Sequence, residues 1–474
     1  MIEALIRQSA RRALHSVLDQ LRSTENFGPL LLAVVVGLAG GAGAVVFRWL
    51  IAGAQHIFFD CGKQALWFMG KYHVIVAPLV GLVIVSVIVR KFATEARGHG
   101  VPEVMFAERD LGGRIRPRVA VVKALASALC IGSGGSVGRE GPIVQIGSSV
   151  GSTLGQVLKL KTSEVRLLVA CGAAAGIAGT FNAPLAGAIF AHEVILGSLK
   201  RRALALVVVA SVTGTALSQW ALGKAPSFQL PHPFSQKSPW EILLYAVMGL
   251  ALGFVAVAYV RTLYFLEGLF ERWRLHDDIK AAFGGLLVGI LGYFIPDLFG
   301  VGYSGVEKAL RGELVLSVLL LMAALKILAT SLTLAAGGSG GVFAPSLLIG
   351  ATAGGAFGQL VNMLFPGITA PAGAYSLVGM AAVFAGAAHA PITSIIILFE
   401  MTDDYKIILP LMTGVVISYL VAVNLSPQSI YTIKLRRLQE RHAAQLAEEE
   451  LARRVAEEEE KVSATAADPP TCED

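Results

Sequence analysis

Apolar residues run along this chain in long blocks that are broken by glycine and proline rather than by charge. Uncharged stretches cover Pro29–Phe47, Val74–Val89, Leu167–His192, Ala203–Gly223, Ile242–Val260 and Ile407–Ile433. From Ile327 to Phe399 no Asp, Glu, Lys or Arg occurs across 73 residues. One bilayer crossing needs roughly 20 residues, so that run holds several segments. Backbone amides inside lipid must be bonded within the protein, which makes helices the expected element. The glycines and prolines inside the blocks predict short or half-length helices rather than uniform spans. After Tyr431 the pattern turns charged and helix-prone, and 434–474 reads as one solvated helix with a frayed tail from Ser463 to Asp474.

Composition agrees with this pattern. Of 474 residues, 55% are hydrophobic and 15% charged, where soluble domains carry about 25% charged residues. These values exclude a disordered chain, a disulfide scaffold and an ordinary cytosolic enzyme, and indicate an all-α polytopic membrane protein. The net charge is +6, divided as +1 over residues 1–28, +9 over 29–433 and −4 over the tail. Within the body the excess sits in short loops, at Arg109, Arg114, Arg116 and Arg118, Lys159, Lys161 and Arg166, Lys200, Arg201 and Arg202, and Arg272 and Arg274. That placement predicts cytoplasmic loops and termini by the positive-inside bias, not a nucleic-acid partner. Residues 1–28 read as a basic amphipathic segment on the inner membrane surface. The stretch 224–238, with Lys224 and Lys237 as its only charges, reads as an external loop.

The two halves of the body resemble each other. Shifted by 203 positions, Pro142–Gln156 lies over Pro345–Gln359; shifted by 207, Gly172–Glu193 lies over Gly379–Glu400. In both copies nine positions separate a proline from a glutamate, Pro184 from Glu193 and Pro391 from Glu400. The first repeat is set at 29–223 and the second at 239–433. Duplicated membrane halves suggest a transporter or channel whose site lies where the repeats meet.

Three glycine-rich breaks carry the candidate chemistry: Gly98–Glu103, Gly132–Pro142 and Gly337–Pro345. Each precedes an apolar helix, and a helix N-terminus with free amides is a site for an anion. Glu140, at the second break, places a carboxylate where such an anion would sit. An ionisable side chain inside the membrane is costly without a role, which favours a gate. Glu193 and Glu400 stand between two readings, transport and structural pairing, while His192 and His389 read as packed rather than metal-binding. No HExxH, phosphate-loop, GxSxG or Cys/His metal pattern is present, so neither an enzyme nor a metal or cofactor is expected.

At these motifs the chain resembles the CLC family of chloride channels and proton-coupled chloride exchangers, over roughly residues 29–433. The matching residues are GREGP at 138–142, GGVFAP at 340–345, FNAPLAG at 181–187 and FEMTDDY at 399–405. The resemblance implies two inverted-topology repeats of tilted, partly broken helices, a homodimer with a pore in each subunit, a cell-membrane location, and chloride as the transported ion. It matches Glu140 to the gating glutamate and the Val342 and Phe343 amides to those of the central chloride site. Gly100 and Val101 match the amides of the first motif, and Tyr431 the tyrosine facing the anion from the inner side. Two positions depart from the pattern. His99 stands where the family commonly has serine at the inner gate. Val194 stands where many of its exchangers carry the internal proton-transfer glutamate, which leaves Glu193 and His192 as candidates for a proton path. The resulting expectation is channel-like chloride conduction through a Glu140 gate opened by protonation. The alternatives are a chloride/proton antiporter of the same family and, from another class, a sodium-coupled solute carrier.

Overall fold

The structure, a computed structural model, describes residues 27–198, 201–224, 228 and 234–466. The expected amphipathic segment 1–28 therefore lies almost wholly outside the described residues, as does much of the expected loop 224–238. Its described part is fastened down: Phe234 N–H donates to Asp404 Oδ2 at 2.7 Å and Phe228 N–H to the Met401 carbonyl.

The first repeat supplies α1 (Phe27–Gln55), α2 (His73–Phe92), α3 (Val101–Arg109), α4 (Arg118–Gly132), α5 (Glu140–Val157), α6 (Thr162–Phe181), α7 (Pro184–Phe190, continued by widened turns Ala191–Leu196) and α8 (Arg201–Leu222). The second supplies their counterparts in the same order: α9 (Glu241–Arg272), α10 (Asp277–Phe294), α11 (Tyr303–Leu310), α12 (Leu316–Ala335), α13 (Phe343–Leu364), α14 (Ala372–Ala388), α15 (Pro391–Thr402) and α16 (Ile408–Leu425). A last helix, α17, runs over Thr432–Ala466. It continues past Ser463, where the sequence suggested fraying, and residues 467–474 are outside the described part. Eight helical segments among the described residues are long and apolar enough to cross a membrane. The uncharged run holds α13, α14, most of α15 and the C-terminal part of α12, so its length reflects stacked elements, two of them shorter than a full span.

Matching helices run in opposite directions. The C-terminal end of α2 meets the N-terminal end of α10, where Ser86 Oγ and Arg90 both bond the Asp278 carboxylate at 2.9 Å. At the far ends Tyr72 stacks on Tyr293 with ring centroids 5.4 Å apart. The repeats are thus inverted, and two isolated bridges are the strand-like pairings among the described residues.

Small residues explain how the helices come so close. α5 and α6 cross where a Cβ on Gly147 would stand 2.2 Å from the Gly172 carbonyl oxygen, and one on Gly172 2.0 Å from that of Gly147. The repeat reproduces this crossing in α13 and α14, where the same distances at Gly350 and Gly379 are 2.2 and 2.3 Å. The aligned glycines of the sequence repeat are therefore backbone-to-backbone contacts, the packing that membrane helices achieve with small residues.

Candidate functional site

The three glycine-rich breaks, far apart in sequence, are laced together by backbone hydrogen bonds. Gly138 and Gly341 exchange N–H···O bonds of 2.7 and 2.6 Å. Gly98 N–H donates to the Gly338 carbonyl at 3.1 Å, and Gly340 N–H to the Gly98 carbonyl at 3.2 Å. Ser339 reinforces the join, its hydroxyl 2.8 Å from Ser127 Oγ and 2.6 Å from the Ala96 carbonyl. The starts of α3, α5 and α13 consequently converge. Gly100, at φ +85°, packs so tightly that a Cβ there would lie 2.7 Å from the Gly141 carbonyl oxygen. No other residue fits that backbone conformation and that gap at once.

Glu140 is the first residue of α5 and is 1% exposed. Its Oε2 accepts the Ala344 N–H at 3.3 Å, and its Oε1 faces the Tyr303 hydroxyl at 3.5 Å. The first amides of a helix have no partner within it. A carboxylate therefore stands at the start of α13, beside the Val342 and Phe343 amides singled out from sequence. Phe343 is enclosed by Phe181 and Phe384, with centroids at 5.1 and 4.3 Å. Tyr259, fully buried in α9, donates its hydroxyl to the Val342 carbonyl at 3.3 Å. The surroundings are apolar side chains, backbone dipoles and hydroxyls, with the Arg139 guanidinium beyond the Tyr303 ring.

The opposite side of the junction holds His99 and Tyr431. Their rings are 6.5 Å apart, both residues are 2% exposed, and His99 Nδ1 is buried without a partner. Tyr264 lies edge-on to His99 at 6.4 Å and donates its hydroxyl to the Ile430 carbonyl, fixing the residue before Tyr431. Just beyond, Glu267 binds Lys434 at 2.7 Å and Arg437 at 3.0 Å, so α17 is clamped to α9 at this mouth.

The remaining sequence candidates, Glu193 and His192, lie elsewhere. Both Glu193 oxygens are engaged at the start of α15: Oε1 accepts Ile392 N–H at 3.1 Å, and Oε2 accepts Thr393 N–H and Oγ1 at 2.7 and 2.6 Å. His192 Nδ1 lies 3.0 Å from the Ser198 carbonyl, a donor contact for that tautomer, while its Nε2 is buried without a partner. Val194 is 6% exposed.

Four residues of this region escaped the sequence reading. Lys123 and Lys326, both 0% exposed, each donate to two carbonyls of the loop leading into a short helix. Lys123 holds Ala96 and Gly98 ahead of α3 at 3.0 and 2.8 Å; Lys326 holds Leu298 and Gly300 ahead of α11 at 3.1 and 2.9 Å. A solitary lysine in an apolar helix was the available signal, and the 203-position shift pairs the two. Tyr259 and Tyr303 gave no comparable signal, since an aromatic residue in an apolar segment looks like packing.

The family described as voltage gated chloride channel matches residues 80–423. The chain is 33% identical to a putative chloride channel protein, ClcB-like, of Ralstonia nicotianae, over 86% of this chain and 96% of that one. It is 32% identical to the H(+)/Cl(-) exchange transporter ClcA of Salmonella arizonae, over 88% and 90%. Among solved structures it resembles a slow cyanobacterial Cl-/H+ antiporter, at TM-score 0.79 and 26% identity over 86% of this chain and 97% of the other. A eukaryotic CLC transporter shares the fold at TM-score 0.74 and 22% identity, over 86% and 73%. The rival class of sodium-coupled solute carriers falls away with these likenesses, and so does an enzyme. With its inverted repeats and its three joined glycine breaks, the chain belongs to the CLC family of chloride channels and antiporters.

Proposed function

We propose that the protein exchanges chloride for protons, with Glu140 as the carboxylate that alternately fills and vacates the anion path. The observation carrying this reading is the position of the Glu140 carboxylate against the first amides of α13. Helix N-termini favour negative charge through free N–H groups and the helix dipole. An ionised Glu140 and a chloride therefore compete for the same field. Protonation removes the carboxylate's claim and opens the place to chloride, which ties movement of one ion to that of the other. Amides at Gly100, Val101, Val342 and Phe343, with the Tyr431 hydroxyl, replace the water around chloride without a full positive charge, so the ion binds weakly enough to leave. Exchange takes precedence over simple conduction because relatives matching nearly the whole chain are named as exchangers.

Val194 cannot carry a proton, and Glu193 is occupied in capping α15. His192 is then the titratable side chain we assign to the inner proton route. Its Nε2 lacks a partner, and its Nδ1 contact, Ser198, borders a cavity of about 750 Å³ on the face that carries α17. That face carries Arg97, Arg109, Arg116, Arg166 and the α17 basic residues, which supports placing it and both termini in the cytoplasm. The resemblance further supports a homodimer in the cell membrane.

The test is proton movement in liposomes under a chloride gradient. Uphill proton uptake that is lost in His192→Ala but kept in Glu193→Gln supports the reading. Chloride flux without proton movement overturns it in favour of the second reading, uncoupled conduction, which Val194 favours.

A further inference from the structure

On the Glu140 side, opposite α17, a cavity of about 320 Å³ opens beside the gate. Its lining includes Arg48, Gln55, Arg139, Phe299, Tyr303 and Ser304. The Arg139 guanidinium lies over the Tyr303 ring at 5.1 Å, and its Nε is buried without a hydrogen-bond partner. Neither Arg48 nor Arg139 has a carboxylate within ion-pair distance among the described residues, although the Glu140 charge acts on Arg139 from behind Tyr303. The nearby Asp297 is committed elsewhere, accepting from Ser304 Oγ and Lys308 Nζ, each at 2.7 Å. The Glu140 carboxylate lies behind the cavity wall, its oxygens facing the Ala344 N–H and the hydroxyl of the lining residue Tyr303.

Two guanidiniums facing a shared, partly enclosed space without a carboxylate form an electrostatic sink for an anion. Arg139 is half-buried with its Nε unpartnered, and a small bound anion offsets that loss of solvation, while Arg48 stands exposed at the rim of the cavity. We infer that this cavity is a loading site that holds a chloride between Arg48 and Arg139 before Glu140 yields its place. Arg48 supplies part of the charge, and Arg139 supplies the rest while fixed over Tyr303, whose hydroxyl touches the gate. The inference deepens the transport reading and rests on it for the direction of ion movement, though not for binding itself.

The test joins flux to direct observation. In membrane vesicles of either orientation, Arg48→Gln is expected to raise the half-saturating chloride concentration at the Glu140 face about three- to tenfold. The opposite face should not shift, and Arg48→Lys, which keeps the charge, should stay near wild type. An unchanged value at the Glu140 face, or an equal rise at both faces, overturns the site. Crystals of the wild type soaked in bromide give an independent readout. Anomalous density between Arg48 and Arg139 that disappears in Arg48→Gln upholds the site; absence of density in the wild type overturns it. If wild-type vesicles move no chloride, the transport reading fails, and the bromide result alone decides the cavity.

Discussion

Glu193 and Glu400 each cap the helix that carries the other. Glu193, near the end of α7, accepts the first amides of α15, and Glu400, near the end of α15, accepts Leu185 and Ala186 N–H at the start of α7, at 3.0 and 2.6 Å. The two helices are antiparallel, so each presents its positive end to the other's carboxylate. Two acidic residues in apolar helices thereby satisfy four backbone donors that lipid would leave bare.

Removing one cap should weaken that pairing without touching the anion path. Glu400→Ala is expected to cost about 1–2 kcal/mol. In detergent this should lower the melting midpoint by about 2–4 °C, while acid still stimulates chloride flux as in wild type. An unchanged midpoint would contradict the capping role.

The helix crossings predict a sharper contrast. Gly147→Ala and its counterpart Gly350→Ala each push a methyl against a backbone carbonyl 2.2 Å away. Such overpacking costs at least about 1–3 kcal/mol, and here no side chain can yield. Both variants should lose most of the monodisperse protein in size-exclusion chromatography. Gly268→Ala, with open space around it, should be neutral or stabilising by up to about 1 kcal/mol.

Lys123 and Lys326 are read as positioning residues for the loops on either side of the path. Methionine at either position leaves two buried carbonyls without a donor, at about 1–3 kcal/mol each, and releases the start of α3 or α11. Chloride turnover in folded protein should fall at least about tenfold, since small displacements near a site are costly. Lys63→Met, exposed on the Glu140 side, should stay within about twofold of wild type. Wild-type turnover in both buried-lysine variants would refute the assignment.

The legible and illegible parts of the sequence differ for physical reasons. Gly98, Gly138 and Gly341 announced themselves because a break in an apolar block has few explanations, and three of them on a repeat suggested convergence. Repeat alignment also brought Gly147 with Gly350 and Gly172 with Gly379 into view, although their crossings needed coordinates. Glu193 and Glu400 could not be resolved from sequence, because a carboxylate in an apolar helix looks the same whether it meets an ion or a helix end. Tyr303 lies 163 positions from Glu140, and no local pattern connects them. The expectation of channel-like behaviour rested on Val194 alone, whereas relatives named as exchangers match nearly the whole chain.

Glu140→Gln tests the gate directly. Glutamine imitates the protonated acid, so chloride flux should become nearly independent of pH and proton movement should vanish. Wild-type flux should rise as pH falls, because each protonation withdraws a competitor for the amides. A variant that kept the wild-type pH profile would remove Glu140 from the gate.

The two repeats have one further consequence when the starts of α5 and α13 are overlaid. The shift of 203 that pairs Gly138 with Gly341 and Pro142 with Pro345 sets Glu140 against Phe343. A pathway assembled from inverted copies of one unit has no built-in direction: its two ends are equivalent by symmetry. Here one end starts with an acid and the other with an aromatic ring. Polarity across the membrane is therefore a departure from the duplication, written at this pair of positions as well as in Tyr431 and α17, which have no copy in the first repeat.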